Sequence, residues 1–435
     1  MVLDARGRRD LLPASAIPIA YFTLAHLSLA TALLTLALRP EIPGGFFLHA
    51  RLVALVHLLT LGWISGSILG AFYIVGPLAL RLPMPAGRAD WAAFAMFGLG
   101  ISGMVSHVWM GDYDGMAWAA TLVVVAIGWV ASRAWRGLPA AIAPWPVKLH
   151  VALAFLNLLA AAVFGMIMGL DRSRGFLGLS PLTAMYAHAH LAAVGWATMM
   201  VVGLSYRLIP MFVPAAMPTG RSLALSAVLI EGGLVLVVTA LLRRSPWLPL
   251  GGALIVSGLG SFTVHIRRAL RHRMPRPPAL PRRDWSTWQT HAALLWLVVA
   301  AALGMALSIG VPGRWRIGVT WVYGVAGLVG FLAQVVVGMQ GRLVPFYAWY
   351  RAFAALEGAA PERAANALPS ARFARVIFVL WTAGVPLLAW GLATERPRTI
   401  AASAVLLLCG VGAGGAYLVS MLSAASPRGG HGSRV

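Results

Sequence analysis

Residues 186–212 read YAHAHLAAVGWATMMVVGLSYRLIPMF. The stretch is apolar enough to cross a bilayer, yet it opens on His188 and His190 and closes on Tyr206-Arg207-Leu208-Ile209-Pro210. The same skeleton recurs over 57–77, HLLTLGWISGSILGAFYIVGP. There His57, Trp63, Gly70, Tyr73 and Pro77 keep the mutual spacing of His190, Trp196, Gly203, Tyr206 and Pro210. A weaker third copy over 323–347 keeps Phe331, Gly338 and Pro345, with Tyr323 and Val325 in the two histidine slots. The copies are offset by 133 and then 135 residues, so the chain reads as three repeats.

Composition assigns the class. Hydrophobic residues make up 60% of the 435 and charged ones 11%, with a mean hydropathy of +0.82, whereas a soluble globular chain is nearer a quarter charged. The chain is a polytopic, all-α membrane protein. Twelve transmembrane helices are expected, over about 14–38, 47–75, 90–110, 115–135, 147–170, 183–210, 221–242, 247–266, 288–310, 317–343, 373–393 and 399–423. Each can cross a hydrocarbon core of about 30 Å at about 1.5 Å per residue. Twelve spans and three copies give four-helix repeats near 14–135, 147–266 and 288–423, within a single transmembrane domain over 1–435. The motif helices are then the second, sixth and tenth. They are expected to ring a pseudo-threefold axis with their glycine faces inward. The loop 265–283 and the segment 350–372 are too small to bury cores of their own, so no soluble domain is expected.

The formal charge of +22 does not mark a nucleic-acid partner, because the arginines sit in loops between apolar spans and set topology. Assigning the loops alternately puts 24 of the 34 Lys and Arg on the N-terminal side and 10 on the other. Both termini are therefore expected in the cytoplasm, with the chain in a bacterial-type inner membrane and the lipid bilayer as its first partner. Cys409 is the only cysteine, which excludes an internal disulfide, a cysteine-based zinc or iron–sulfur site and covalent c-type haem attachment.

The histidines carry the chemistry. Five of them, His49, His57, His107, His188 and His190, are expected in the half of the membrane opposite the termini, on three helices. His26, His150 and His291 read as helix-packing residues, and His265 and His272 belong to the basic loop. A neutral imidazole in lipid is costly unless it bonds or ligates something. His57 and His190 hold one slot in two copies, which points to metal or haem ligation. His188 and His190 lie about 200° apart round a helix and so serve different neighbours. His49 and His57, eight residues apart, are separated by about 12 Å and suit two levels of one cavity. Imidazoles from different helices are how non-covalent haem b is held. The matching slots favour His190 as partner of His57, while the opposite-face geometry keeps His188 open. His49 and His107 could hold a copper ion together with His188. Glu231, midway along the seventh helix, is a proton-relay candidate or a partnered carboxyl, with Asn157, Gln334 and Gln340 as polar neighbours. Asp112 and Asp114 fall in a short loop and read as solvated. Arg207 and Arg342, at matching ends of two motif helices, would either neutralise haem propionates or anchor the interface.

HLLTLGWIS…GAFYIVGP, HAHLAAVGW…GLSYRLIPMF and GMQGRLVPFYAWY resemble the signatures of a small branch of the haem–copper oxidase subunit I superfamily. NnrS-type haem and copper proteins of nitric-oxide response are similar in size and style. The resemblance implies the twelve-helix cytochrome c oxidase subunit I-like fold, haem b with copper as a second metal, and a redox partner or further membrane subunits. In that family the second helix supplies a low-spin haem ligand, a role His57 matches, and the sixth a copper ligand, matched by His190 or His188. The family's adjacent histidine pair on the seventh helix is missing from 221–242, and Tyr323 and Val325 replace its His-x-His on the tenth. A complete terminal oxidase cannot be assembled from these ligands.

Two function classes remain. One is a haem-b membrane redox protein that carries electrons or binds a diatomic gas such as nitric oxide; as an enzyme it would be an oxidoreductase. The alternative is a non-haem multi-pass transporter or copper-handling protein. A Soret band that sharpens on reduction separates the first from a colourless, copper-loaded second. On sequence alone, His57→Ala and His190→Ala are expected to abolish a haem spectrum that His150→Ala and His291→Ala leave intact.

Overall fold

A bilayer core offers backbone amides no water, so an apolar chain crossing it must satisfy them along its own axis. The computed structural model describes residues 11–44, 47–275, 284–356, 361 and 363–425. Among these the regular structure is helical, apart from one isolated bridge between Ala215 and Arg273. Twelve helices are long and apolar enough to cross a membrane: α1 Ile17–Leu38, α2 Ala50–Leu80, α3 Arg88–Met110, α4 Tyr113–Ala140, α5 Trp145–Arg174, α6 Pro181–Phe212, α7 Arg221–Arg243, α8 Leu248–Arg271, α9 Trp285–Ile309, α10 Gly313–Ala355, α11 Ala371–Ala393 and α12 Pro397–Ala425. Each coincides with one expected span. The tenth departs most. At 43 residues α10 outruns a hydrocarbon core and carries helix through Pro345 to Ala355, into a stretch expected to lie outside the membrane. Part of the basic loop, 276–283, lies outside the described residues.

Helix contacts give the plan. Nine helices touch in a closed cycle, α1–α3–α4–α5–α7–α8–α9–α11–α12 and back to α1. The other three, α2, α6 and α10, meet one another pairwise. They meet through π-helical stretches, Leu58–Ser65, Leu191–Thr198 and Val325–Ala333, which fall at corresponding places in the three sequence copies. In two of them a hydroxyl at the end of the stretch takes up a carbonyl five residues back. Ser65 Oγ donates to Thr60 O (3.0 Å) and Thr198 Oγ1 to Ala193 O (2.8 Å). Trp196 Nε1 then donates to Ser65 Oγ (3.1 Å), tying α6 to α2.

The repeated glycines do not point at one another. A methyl group at Gly70 would lie 2.8 Å from Tyr21 Cβ on α1, at Gly203 it would strike His150 Cβ on α5, and at Gly338 it would lie 2.5 Å from Thr290 Oγ1 on α9. The expectation of inward glycine faces is thus corrected. The three occupy equivalent environments, but each lets its motif helix close on the helix that precedes it in the outer cycle. Large side chains, among them Trp63, Trp196 and Tyr73, are buried in the apolar core around them.

One charged group is buried near the far end of α2. Asp90 is 2% exposed; it pairs with Arg133 and accepts from Tyr73 Oη (2.9 Å) and Gly87 N (2.8 Å). Asp90→Ala would strand the Arg133 guanidinium. The expected cost is about 3 kcal/mol, the low end for a broken buried pair because Arg133 keeps the Pro85 carbonyl and some solvent. Thermal unfolding in detergent checks it, with Asp90→Asn expected to fall between the two.

Candidate cofactor site

The motif helices, their π stretches included, line a cavity of about 1020 Å³. Its lining is mostly apolar; its polar members include Asp171, Arg172 and Arg316 and several hydroxyls, and three motif helices contribute His57 from α2, His188 and His190 from α6, and Tyr323 from α10. Two separate pairs form there. The rings of His57 and His188 face each other with centres 6.1 Å apart and planes inclined by 32°. The rings of His190 and Tyr323 lie 6.2 Å apart at 27°.

Local hydrogen bonds fix the aim of each imidazole. His57 Nδ1 donates to Val53 O (2.8 Å) and His190 Nδ1 to Tyr186 O (2.7 Å), each one helical turn back. That assignment leaves Nε2 of both rings as the unprotonated nitrogen, and both residues line the cavity. For His190 this nitrogen is taken, since Tyr323 Oη donates to it at 3.0 Å. For His57 the facing group is His188. The Nδ1 of His188 is buried and makes no hydrogen bond of ordinary geometry, with the Ala161 carbonyl near the ring. Its ring rests on Gly165 of α5, where a methyl group would come within 2.8 Å of Cε1. Tyr323 rests in the same way on Gly304 of α9, where a methyl group would lie 3.0 Å from Cε2.

The other sequence-derived candidates lie elsewhere. His49 precedes the first turn of α2, is exposed, and is not among the cavity-lining residues. His107 ends α3 and shares its Nδ1 with Asp112 Oδ2 at 2.8 Å. Asp112 is exposed, as expected, and it also caps α4: the Gly115 N–H, then His107, hold its carboxyl below the usual range. Neither His49 nor His107 reaches His188 through any ring contact or hydrogen bond, and among the described residues no three His, Cys, Asp or Glu side chains gather as a metal-binding group. Glu231 is bonded to Asn157 Nδ2 at 2.8 Å, while Gln334 bonds Gln289 and Gln340 bonds Ser67, so one of its three expected neighbours is its partner. Arg207 donates to Ala79 O, Arg342 pairs with Asp284, and neither lines the cavity. Arg172 and Arg316 do. His150 is fully buried and bonded at both nitrogens, to Pro146 O and Ser226 Oγ, as a packing residue should be.

Tyr323 and Gly165 are the members that sequence reasoning misses. Tyr323 is visible as the occupant of a histidine slot, but a ligand pattern registers it only as a lost histidine. No family model matches this sequence, and no match was found among curated proteins.

The Tyr323–His190 bond gives a direct test of the pairing. Tyr323→Phe removes the donor and leaves a buried acceptor, which should cost about 1–3 kcal/mol. Adding His190→Phe should return most of that loss, and a double-mutant cycle on thermal stability reads the coupling.

Proposed function

We propose that the chain is a haem-b-binding membrane redox protein in which His57 and His188 are the axial ligands. The observation that carries this reading is the pair of imidazoles facing each other across an apolar cavity, 6.1 Å between ring centres. Two rings on opposite sides of one ion, each with a metal–nitrogen bond of about 2 Å, have centres on the order of 6 Å apart. Among the described residues no third His, Cys, Asp or Glu side chain joins this pair in a metal-binding group, so an ion held there would draw further bonds from the ligand itself, as a macrocycle provides. The apolar walls suit such a ring, and Arg172 and Arg316 suit its carboxylates. Bound, the group would supply one-electron chemistry. The protein would hold it, fix both imidazole orientations and keep water away. With both imidazoles used to hold the group, electron transfer is the favoured role.

The same reading takes the nine-helix cycle and its three inner helices as three four-helix repeats about a pseudo-threefold axis, each motif helix following the first helix of its own repeat. It keeps the oxidase-like resemblance and sets aside oxygen reduction, because α7 carries no histidine. With 24 basic residues on their side of the chain, both termini face the cytoplasm.

A second reading has one specific support. Met166, Met168 and Met185 line the same cavity, and thioethers with imidazoles suit Cu(I). Purified protein decides between the two. We expect a reduced-minus-oxidised haem b spectrum that His57→Ala and His188→Ala each abolish, while His291→Ala and His49→Ala keep it. Gly165→Leu should weaken it by displacing the His188 ring. Haem-free protein carrying stoichiometric copper lost in the same two variants would establish the copper reading instead.

A further inference from the structure

The two ring pairs are built alike. His188 and Tyr323 hold corresponding slots 135 residues apart. Each rests on a glycine of the preceding outer helix, Gly165 or Gly304, and each reaches across to the histidine ahead of the previous motif helix's π stretch. Those two histidines, His57 and His190, are oriented by the same bond to the carbonyl four residues back. Ring separations of 6.1 and 6.2 Å and inclinations of 32° and 27° complete the match. The cavity extends beside both pairs, bounded by α5 residues next to His188 and by α8 and α9 residues such as Gly252, Ala301 and Gly304 next to Tyr323.

One atom separates the pairs in kind. An axial pair on opposite sides of one ion needs about 4 Å between its donor atoms. Tyr323 Oη and His190 Nε2 are 3.0 Å apart, which is a hydrogen bond with nothing between. A neutral phenol is also a poor exchange for an imidazole as a ligand to haem iron, since it must first lose its proton.

We propose that the His190–Tyr323 pair is a second axial-ligand position closed by its tyrosine, so that Tyr323 is the residue confining the cofactor to His57 and His188. This rests on the haem reading above. It makes the protein a carrier with one centre, and it assigns His190 the role of a hydrogen-bond acceptor rather than a ligand, although it shares the slot of His57. Tyr323 acts here as a specificity-determining residue, through the imidazole it occupies.

The test is a rescue in the full-length protein, expressed with haem supply and scored by haem per chain and by the reduced spectrum. His57→Ala is expected to be haem-free. Combining it with Tyr323→His should restore one haem per chain, and adding His190→Ala should remove it again. Tyr323→Phe should stay at the wild-type content, because removing the bond supplies no second imidazole. Tyr323→His alone must retain at least the wild-type haem, which shows that the substitution folds. If it does and the double variant is still haem-free, the second position does not exist and the inference falls while the haem reading stands. Rescue that survives His190→Ala overturns it too. Wild-type protein without haem, or His57→Ala protein with full haem, overturns the reading of the first pair and this inference with it.

Discussion

A hydrogen bond of 2.8 Å from His57 Nδ1 to Val53 O, with its counterpart of 2.7 Å from His190 to Tyr186 O, is the constraint on which the site depends. In lipid an imidazole cannot leave a nitrogen to water, so one N–H must find a carbonyl within the protein. The helix supplies that carbonyl one turn back, at no cost in tertiary packing. Once Nδ1 is committed, the tautomer is fixed and Nε2 is the only basic nitrogen left. What each ring can do then turns on what faces Nε2. For His190 it is a phenol, which satisfies it. For His57 it is another imidazole, which cannot complete the same neutral arrangement as fully, and His188 Nδ1 is left without a bond of ordinary geometry. A buried polar group left short of partners calls for an explanation, and the proposed ligand would supply one here.

The π-helical stretches explain how three similar helices can meet and still present different side chains. A π turn inserts a residue into the helical register, rotating the turn before it against the turn after it, and such turns recur at functional sites. Here each begins at or directly after the histidine slot and carries a buried tryptophan or phenylalanine within it, Trp63, Trp196 or Phe331. Extra backbone length leaves carbonyls poorly served, and Ser65 and Thr198 take up two of them. Gly203 and Gly70 then bring the lower half against its neighbour, where His150 and Tyr21 leave no room for a side chain.

Much of this is legible in the sequence, and the rest is hidden for identifiable reasons. Twelve spans emerge from hydropathy because the bilayer thickness sets a length scale. The spacing His-Trp-Gly-Tyr-Pro locates two motif helices and its aromatic, Gly and Pro positions the third, and the angle between His188 and His190 foretells that they serve different neighbours. Which neighbours cannot be read. An ideal helical wheel carries no π turn, and periodicity says which residues share a face but not which helix the face meets. The glycines illustrate the second limit: their spacing marks close approach, and the direction goes to the outer cycle instead of the centre. Arg342 illustrates a third, since a side chain at an expected propionate position is taken by Asp284, far off in sequence. The sixth-helix pairing favoured by slot identity, His190 with His57, misses that slots of consecutive copies meet out of step.

That offset carries a further consequence for how such a site is organised. If the copies are related as proposed, the first member of each slot pair faces the second member in the copy before it. The pairs are then His188 with His57 and Tyr323 with His190, leaving Leu55 and Val325 as the corresponding residues of the remaining junction. No copy contains a site by itself. Each site belongs to a junction, and a single substitution at one slot changes one junction while the helix that bears it still serves another. On that arrangement the two histidines of α6 serve different junctions, and Tyr323 and Val325 of α10 likewise belong to two. A fold assembled this way can retain its packing, set by an aromatic residue, glycine and proline at constant spacing, while the slots are varied independently. Constant spacing then reports the scaffold, and only the identities at the junctions report the chemistry.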